Sequence, residues 1–314
     1  IAALTVNKVC GSGLKAVMLA AQAIRAGDAD VVLAGGMESM SRAPHLLLGT
    51  RAGWKIGDQK AVDAMIHDGL WCAFENWHMG EAAEHIASKC GIVRGDQDRF
   101  AVQSHQRAAQ AWSQGAFTAE VLPITVGSGA KAKTIAQDEG VRADSNLEGM
   151  AKLKAAFCEG GSVTAGNASM LSDGAAAVAV ASQRGLEKLG AKPRARIVAY
   201  GTSGIAPRDI FLAPVGAVRQ VLEKAKLRVG DIDLFELNEA FAAQMLACNK
   251  DLQIDEAKIN VHGGAIALGH PIGASGTRVL VTLLHALERR NARRGLASLC
   301  LGGGNAVAMI IERM

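Results

Sequence analysis

Aromatic residues are scarce in this sequence, making up 4% of its 314 residues, whereas hydrophobic residues make up 49%. A core with few aromatic rings must be built from Ala, Val, Leu and Ile, and 36 glycines supply many tight turns. This combination favours an α/β layered protein over a β-sandwich. With 20% charged residues the chain is globular rather than disordered, and its length suffices for roughly two domains.

Long apolar runs, paired cysteines and basic tracts are also missing. No apolar run approaches the ~18 residues of a membrane span, so we expect no membrane partner. The six cysteines are scattered without a CxxC pair. This pattern disfavours a metal site or a redox pair, and it favours a reducing compartment such as the cytoplasm. The net charge of +4 includes no Lys/Arg run of the kind that binds nucleic acid.

The sequence begins inside an apolar stretch. Ile1 opens a segment whose residues 5–10 predict a short buried strand. We therefore expect that the chain is a piece that lacks its true beginning, and that the strand leading to Cys10 is exposed without the missing part.

Two parts of the chain repeat one plan of strand, glycine turn, helix and strand, which indicates an internal duplication of a βαβ-type unit. In the first part Gly27 ends the helix, and Gly35-Gly36 interrupts the following strand. The second part places a glycine-rich loop, residues 263–276, before its helix. The predicted strands are 5–10, 30–34, 258–261, 295–301 and 306–312, and the predicted helices are 14–25 and 277–290.

The intervening residues 41–171 differ in composition and read as an insertion. They contain all four Trp residues, few strand signals and a clear helix at 97–114. Beyond them we predict strands at 174–181 and 196–202, joined by a linker at 186–193. The expected domains are a first half made of 1–40 and 172–190, an insertion of 41–171, and a second half of 191–314.

Cys10 stands at the turn between the first strand and helix. There the helix dipole and free amides stabilise a thiolate and lower its pKa, although a buried structural cysteine is equally compatible with this position. Gly11, Gly13 and Ala16 match a dinucleotide fingerprint, but the next strand ends without the required acidic residue. The loop at 264–270 has P-loop spacing, but it carries His where the phosphate-binding Lys is needed.

Three further residues are candidates for chemistry, each with a structural alternative. His270 lies in a run of glycines that lets backbone approach a ligand closely, although a lone His is more often structural. Cys300 precedes three glycines at a strand end and could instead belong to the core. Asn238 follows a strand at 233–237, where it could simply cap a helix.

Together these segments resemble the thiolase family, and the resemblance runs from residue 1 to residue 314. It implies a duplicated αβαβα layered α/β fold with a CoA-binding loop domain inserted in the first half. Family chains carry a further βαβα stretch upstream of residue 1. The matching motifs are Val9-Cys10-Gly11-Ser12-Gly13, Gly35-Gly36-Met37-Glu38-Ser39-Met40, Thr164-Ala165-Gly166-Asn167-Ala168-Ser169, Asn238-Glu239-Ala240-Phe241, Gly269-His270-Pro271-Ile272-Gly273 and Cys300-Leu301-Gly302-Gly303-Gly304.

The resemblance also implies a role for each catalytic candidate. Cys10 is expected to carry the acyl group, His270 to take its proton, and Cys300 to act as acid and base. Asn238, through a water, would form one oxyanion site with His270. The amides of Cys10 and Gly302 would form the other. No cofactor is implied, since acetyl-CoA, acetoacetyl-CoA and CoA are substrates, and a homodimer or homotetramer is expected.

By position in the resemblance, nine residues are expected to contact CoA or the acyl group. His78-Met79-Gly80 looks like the short-chain biosynthetic subgroup, acetyl-CoA C-acetyltransferase, whereas His262 stands where many members of that subgroup have Asn. The alternative is a degradative 3-ketoacyl-CoA thiolase of broader chain length. The nine residues are Leu70, His78, Met79, Arg142, Met150, Phe157, Ala165, Ser169 and Phe241.

Two rival functions fit the same motifs less well. Condensing enzymes that act on acyl-carrier protein usually have His where Cys300 stands. A non-catalytic lipid-binding relative would be expected to lose Cys10 or His270, and both are present.

Overall fold

The computed structural model describes residues 2–314. Ile1, the first residue of the apolar segment noted above, lies outside the described residues. The helices are α1 (Ser12–Ala26), α2 (Met79–Cys90), α3 (Arg94–Ser113), α4 (Leu147–Ala151), α5 (Gln183–Leu189), α6 (Ala213–Ala225), α7 (Ala242–Leu252), α8 (Ala265–Leu268) and α9 (Ile272–Arg289). The strands are β1 (Val31–Ser39), β2 (His45–Leu47), β3 (Ala61–Asp63), β4 (Trp71–Cys72), β5 (Trp77–His78), β6 (Ile124–Val126), β7 (Lys133–Ile135), β8 (Asp173–Ala181), β9 (Ala195–Gly204), β10 (Leu234–Leu237), β11 (Arg294–Leu301) and β12 (Asn305–Arg313).

A four-stranded sheet of order β10-β11-β12-β9 forms the centre of the second half. β10 and β11 are parallel, and the other two pairs are antiparallel. Successive side chains of a strand point to opposite faces. Phe235 and Leu237 accordingly pack with α6 and α7, whereas Leu234 packs with α1 and α9. This alternation directs Glu236, and Asn238 beyond the strand, toward the α9 side.

A second sheet pairs β1 with β8 in antiparallel register over nine residue pairs. Its inner face packs on α1 and α9 through residues such as Ala34 and Val178. From α6 inward the layers therefore run helix, sheet, helix, sheet. The outer face of β1 exposes Leu33 and Met37, each about four-fifths accessible to solvent.

The central pair of helices follows from the sequence pattern. In α1 the buried residues Leu14, Val17, Met18 and Ala21 recur at helical spacing. Gly27 ends the helix in the left-handed conformation, with φ of 87°. The two helices touch through glycine, because a Cβ at position 276 would collide with the Leu14 backbone nitrogen. The first turns of α1 and α9 are thereby brought into contact.

Residues 41–171 form two helices, α2 and α3, with the short α4 and three two-stranded hairpins, β2–β3, β4–β5 and β6–β7. The predicted helix at 97–114 is confirmed, although it begins three residues earlier, at Arg94. This part packs on the second half: α2 and the aromatic residues around it share a core with α7 and Cys300. The division into three domains stays a prediction.

Several predicted elements are wrong. Residues 2–8 are not a strand, and the described part of the chain places no strand beside them to complete a hydrogen-bonded ladder. Residues 258–261 contribute only isolated bridges, one of them between Ile259 and Phe235. β1 continues through Gly35-Gly36, because β8 pairs with it there. The predicted glycine loop at 263–276 contains α8 and the start of α9, and α5 replaces the first part of the predicted linker.

None of the helices within residues 2–314 is long and apolar enough to cross a membrane.

Candidate active site

Cys10 lies in a tight 3-10 turn, Val9–Gly11, that leads directly into α1. Val9 has φ of 47°, a left-handed conformation that a β-branched residue rarely adopts and that costs of order 1–3 kcal/mol. Ser12 holds the turn closed: its Oγ accepts a hydrogen bond from the Lys8 amide at 2.8 Å and donates one to the Val9 carbonyl at 2.7 Å. The strain therefore sits next to the candidate nucleophile.

His270 lies between α8 and α9, with its backbone amide donating to the Met170 carbonyl at 3.3 Å. Its Nδ1 is 2.6 Å from the Oγ of Ser275. The Nδ2 of Asn238 lies 3.4 Å from both ring nitrogens. Asn238 and His270 are both buried, and Asn238 Oδ1 has no hydrogen-bond partner in the described part of the chain. A buried amide oxygen without a partner is a natural place for a bound water.

Cys300 lies at the end of β11, buried in the same cluster as Met79 and Phe241. Gly302 follows in the turn to β12, and a Cβ there would lie 3.3 Å from a Val9 side-chain carbon. The turn after Cys300 thus touches the turn that carries Cys10. The five predicted catalytic residues are brought together from the starts of α1 and α9 and the ends of β10 and β11.

The reactive groups are neutral at rest. Burial raises the pKa of Cys10 to about 12, with a smaller contribution from the charge of Glu38. Burial also raises the pKa of Cys300 well above 9, and the neighbouring Cys10 adds to this. Burial and then the charge of Arg278 lower the pKa of His270 to about 4. The expectation that the helix dipole lowers the Cys10 pKa is therefore wrong, because desolvation outweighs it.

Aromatic rings line one side of the site. The rings of His78 and Phe157 stack with centroids 5.0 Å apart. Phe241 meets Phe157 edge-on at 6.2 Å and Phe211 at 5.3 Å. Met79 is buried in the same cluster. The structure therefore gathers the predicted pocket residues His78, Met79, Phe157 and Phe241 beside Cys300.

His78 is also the N-cap of α2. Its Nδ1 accepts from the Gly80 amide at 3.0 Å, and its own amide donates to Glu81 at 2.8 Å. Gly80 is required here: a Cβ would collide with the ring of Phe157. Burial lowers the pKa of His78, so this cap is the neutral imidazole.

The loop at 164–169 joins this pocket to the Asn238 loop. Ala168 bridges to Phe241, and the Ser169 amide donates to the Ala240 carbonyl at 3.0 Å. Ser169 therefore lies next to the Asn238 loop, whereas Ala165 is exposed, and the contact of both with CoA stays a prediction. Asn167, fully buried, donates to Asp98 at 3.0 Å and fixes the loop to α3.

The other predicted contacts are more scattered. Leu70 is half-buried at the end of a π-helical turn. Met150 is buried against α3 and Ile266 rather than in the aromatic pocket. Arg142 is exposed, and its amide donates to Nδ1 of His105. Their contact with CoA stays a prediction.

Two carboxylates that were not predicted from the sequence, Glu239 and Glu84, hold parts of the site in position. Glu239 is buried and accepts hydrogen bonds from Ser104 at 2.6 Å, Asn260 at 2.8 Å and the Ile266 amide at 3.2 Å. It thereby ties the loop before His270 to α3. Glu84 accepts from the amides and hydroxyl of residues 162–163. Glu239 stands inside the motif Asn238-Glu239-Ala240-Phe241, which was the signal available for it, whereas no motif contains Glu84.

Within residues 2–314, no group of three or more His, Cys, Asp or Glu side chains is arranged to hold a metal ion. The expectation of no metal rests on the scattered cysteines, and the expectation of no cofactor rests on the resemblance.

Comparison with known proteins identifies the family. Residues 1–184 match the model of the thiolase N-terminal domain, and residues 191–313 match that of the thiolase C-terminal domain. The chain belongs to the thiolase family. It is 52% identical over 315 residues to an acetyl-CoA acetyltransferase of Cupriavidus necator, a match that covers 99% of this chain and 79% of the relative.

Solved thiolases share the fold. The human mitochondrial 3-ketoacyl-CoA thiolase in complex with CoA superposes with a TM-score of 0.96 at 43% identity, covering 99% of this chain and 78% of that chain. An acetyl-CoA acetyltransferase of Bacillus anthracis superposes with a TM-score of 0.95 at 42% identity, covering 98% and 78%. The predicted α/β thiolase fold is confirmed, and these two neighbours do not separate the subgroups.

Proposed function

We propose that this thiolase is an acetyl-CoA C-acetyltransferase, which reversibly condenses two acetyl-CoA molecules into acetoacetyl-CoA and CoA through an acetyl group on Cys10. The observation that carries the proposal is the convergence of the partly exposed Cys10 with the buried His270, Asn238 and Cys300 on one site. Acetyl-CoA acetyltransferases of Cupriavidus necator and Escherichia coli, 52% and 51% identical to this chain, agree with it.

In the first half-reaction the Cys10 sulfur attacks the thioester carbonyl of acetyl-CoA. Because the pKa of Cys10 is about 12, the thiol must lose its proton as it attacks, and His270 is the neutral base that takes it. The carbon–sulfur bond to CoA breaks, and the leaving thiolate takes the proton of Cys300. The acetyl-enzyme then faces a Cys300 thiolate and a protonated His270.

In the second half-reaction Cys300 removes the α-proton of a second acetyl-CoA. The enolate carbon attacks the acetyl group on Cys10, the sulfur leaves, and it recovers the proton held by His270. All protons return to their starting positions. The negative charge on oxygen is stabilised in the first half by the amides of Cys10 and Gly302, and in the second by His270 and a water on Asn238.

The short-chain assignment rests on Met79, which is buried beside Cys300 and leaves little room for a longer acyl chain. The alternative, a degradative 3-ketoacyl-CoA thiolase, is supported by the equally close fold of the human mitochondrial enzyme. Thiolysis of acetoacetyl-CoA and of longer 3-ketoacyl-CoAs by the full-length protein tests both. A sharp fall in kcat/KM with chain length supports the acetyltransferase, equal values support the alternative, and no cleavage of any substrate refutes both.

The assembly proposed is a homodimer or homotetramer. The exposed Leu33 and Met37 on β1 support it, as does a groove of about 790 Å³ between residues 4–9, β1 and the start of α9. Light scattering on the full-length protein tests it, and an active monomer would contradict it. The cytoplasmic location stays a prediction.

A further inference from the structure

His270 has one hydroxyl partner that the reaction scheme above does not use. Nδ1 of His270 lies 2.6 Å from Oγ of Ser275, in the first turn of α9. The same Oγ lies 2.9 Å from the carbonyl oxygen of Pro271. Ser275 is 0% exposed, so bulk water does not replace either contact.

The two contacts of Ser275 constrain where protons lie. A serine hydroxyl has one proton, and the Pro271 carbonyl can only accept. When the Ser275 hydroxyl donates its hydrogen bond to that carbonyl, the lone pairs of Oγ face His270. A contact of 2.6 Å between those lone pairs and Nδ1 then needs a proton on Nδ1.

Asn238 does not set the proton position on His270. Its Nδ2 is 3.4 Å from each ring nitrogen. An atom equally distant from both cannot lie along the in-plane lone pair of either, since the two lone pairs diverge. Ser275 is thus the neighbour with the short, directional contact.

We propose that Ser275 is a positioning residue that holds His270 as the Nδ1–H tautomer, which leaves Nε2 free to accept the Cys10 proton. The proposal rests on the proposed role of His270 as the base for Cys10. The opposite tautomer carries a proton on Nε2 and cannot take another there. The position of Ser275 is fixed with respect to Cys10, because Gly276 packs against the first turn of α1.

The first experiment reads the tautomer directly in the full-length wild-type protein. We expect ¹⁵N NMR of histidine-labelled protein near pH 8 to show a protonated Nδ1 and an unprotonated Nε2 for His270. The signal is assigned by its absence from His270→Asn. A protonated Nε2 in the wild type would overturn the proposal, and this measurement needs no Ser275 variant to fold.

The second experiment measures the single-turnover rate at which acetyl-CoA acetylates Cys10. Loss of a residue that orients a catalytic imidazole should slow this step about 10- to 100-fold in Ser275→Ala, with Ser275→Thr recovering much of it. Ser203→Ala is the matched control, since it also removes a hydroxyl that donates to a backbone carbonyl, that of Ala213 at 2.7 Å. Its rate should equal that of the wild type.

The outcomes separate the two proposals. A wild-type protein that never forms acetyl-Cys10 contradicts the proposed function, whereas the NMR result still decides the tautomer. A wild type that is acetylated normally, together with an equally fast Ser275→Ala, refutes only the role of Ser275.

Discussion

Replacing Met79 by Ala should convert this thiolase into one that accepts longer substrates. Met79 is 9% exposed and shares a cluster with Cys300 and Phe241, so its side chain stands where an acyl chain would extend. Truncation removes three heavy atoms from that position and opens space in an otherwise packed site.

The size of the effect follows from the burial of methylene groups. 3-Ketohexanoyl-CoA has two more methylenes than acetoacetyl-CoA, and burying both is worth ~1.6 kcal/mol, which corresponds to roughly a 15-fold gain in kcat/KM for the longer substrate relative to the shorter. The same truncation should lower the free energy of unfolding by about 2–4 kcal/mol, because the surrounding core closes only partly over the cavity.

The assay is CoA-dependent thiolysis of both substrates, reported as a ratio of kcat/KM values so that any loss of active protein cancels. Ile86→Ala is the matched control: Ile86 is fully buried on the same helix and in the same cluster, but two turns from the site. It should lose comparable stability and leave the ratio unchanged. An unchanged ratio in Met79→Ala, or an equal rise in Ile86→Ala, would refute the steric argument.

Three other substitutions test the site. Cys10→Ser should abolish turnover and acetylation by acetyl-CoA, since an alcohol is a much weaker nucleophile; mass mapping that finds acetyl on another cysteine of the wild type would contradict this. Cys300→Ala should still accept an acetyl group on Cys10 yet condense at least ~100-fold more slowly, and normal thiolysis would exclude its role. Burial lowers the pKa of His262 from 6.5 to about 4, so the unfolded chain binds the proton first and stability falls as pH drops from 6.5 toward 4. Denaturant titrations should show that the free energy of unfolding of His262→Asn falls by about 3 kcal/mol less over this pH range than that of the wild type. Identical pH dependence of the two proteins would refute the assignment.

The sequence predicted the last two strands closely, since both are strongly apolar and three glycines mark the turn between them. The strand predicted at 295–301 is Arg294–Leu301, and that at 306–312 is Asn305–Arg313. The strand predicted at residues 5–10 was wrong for a physical reason. Apolar composition favours a strand, but a strand forms only where a neighbouring strand completes its hydrogen bonds. Composition cannot report whether such a neighbour is present.

The site residues that could be predicted from the sequence are those with a reactive side chain in an unusual stretch of backbone. Cys10 and His270 are reactive residues in glycine-rich turns, which an ordinary core would not need. Ser275 and Phe211 were missed because each matters through a contact with a residue far along the chain or across a turn. The pKa of Cys10 was predicted in the wrong direction, because a helix terminus is visible in the sequence but the extent of desolvation is not.

The neutral resting state of Cys10 and His270 determines at which step the proton leaves Cys10. In the free enzyme, before a thioester supplies a group that can take up negative charge, the raised pKa of Cys10 and the lowered pKa of His270 strongly disfavour a separate Cys10 thiolate and His270 imidazolium. Proton transfer must therefore accompany the attack on the thioester, when negative charge passes to the carbonyl oxygen. That oxygen is where polar donors converge, so stabilisation of the oxyanion, rather than prior activation of the thiol, makes the step feasible. The same burial keeps the idle Cys10 as a weakly nucleophilic thiol until a thioester arrives.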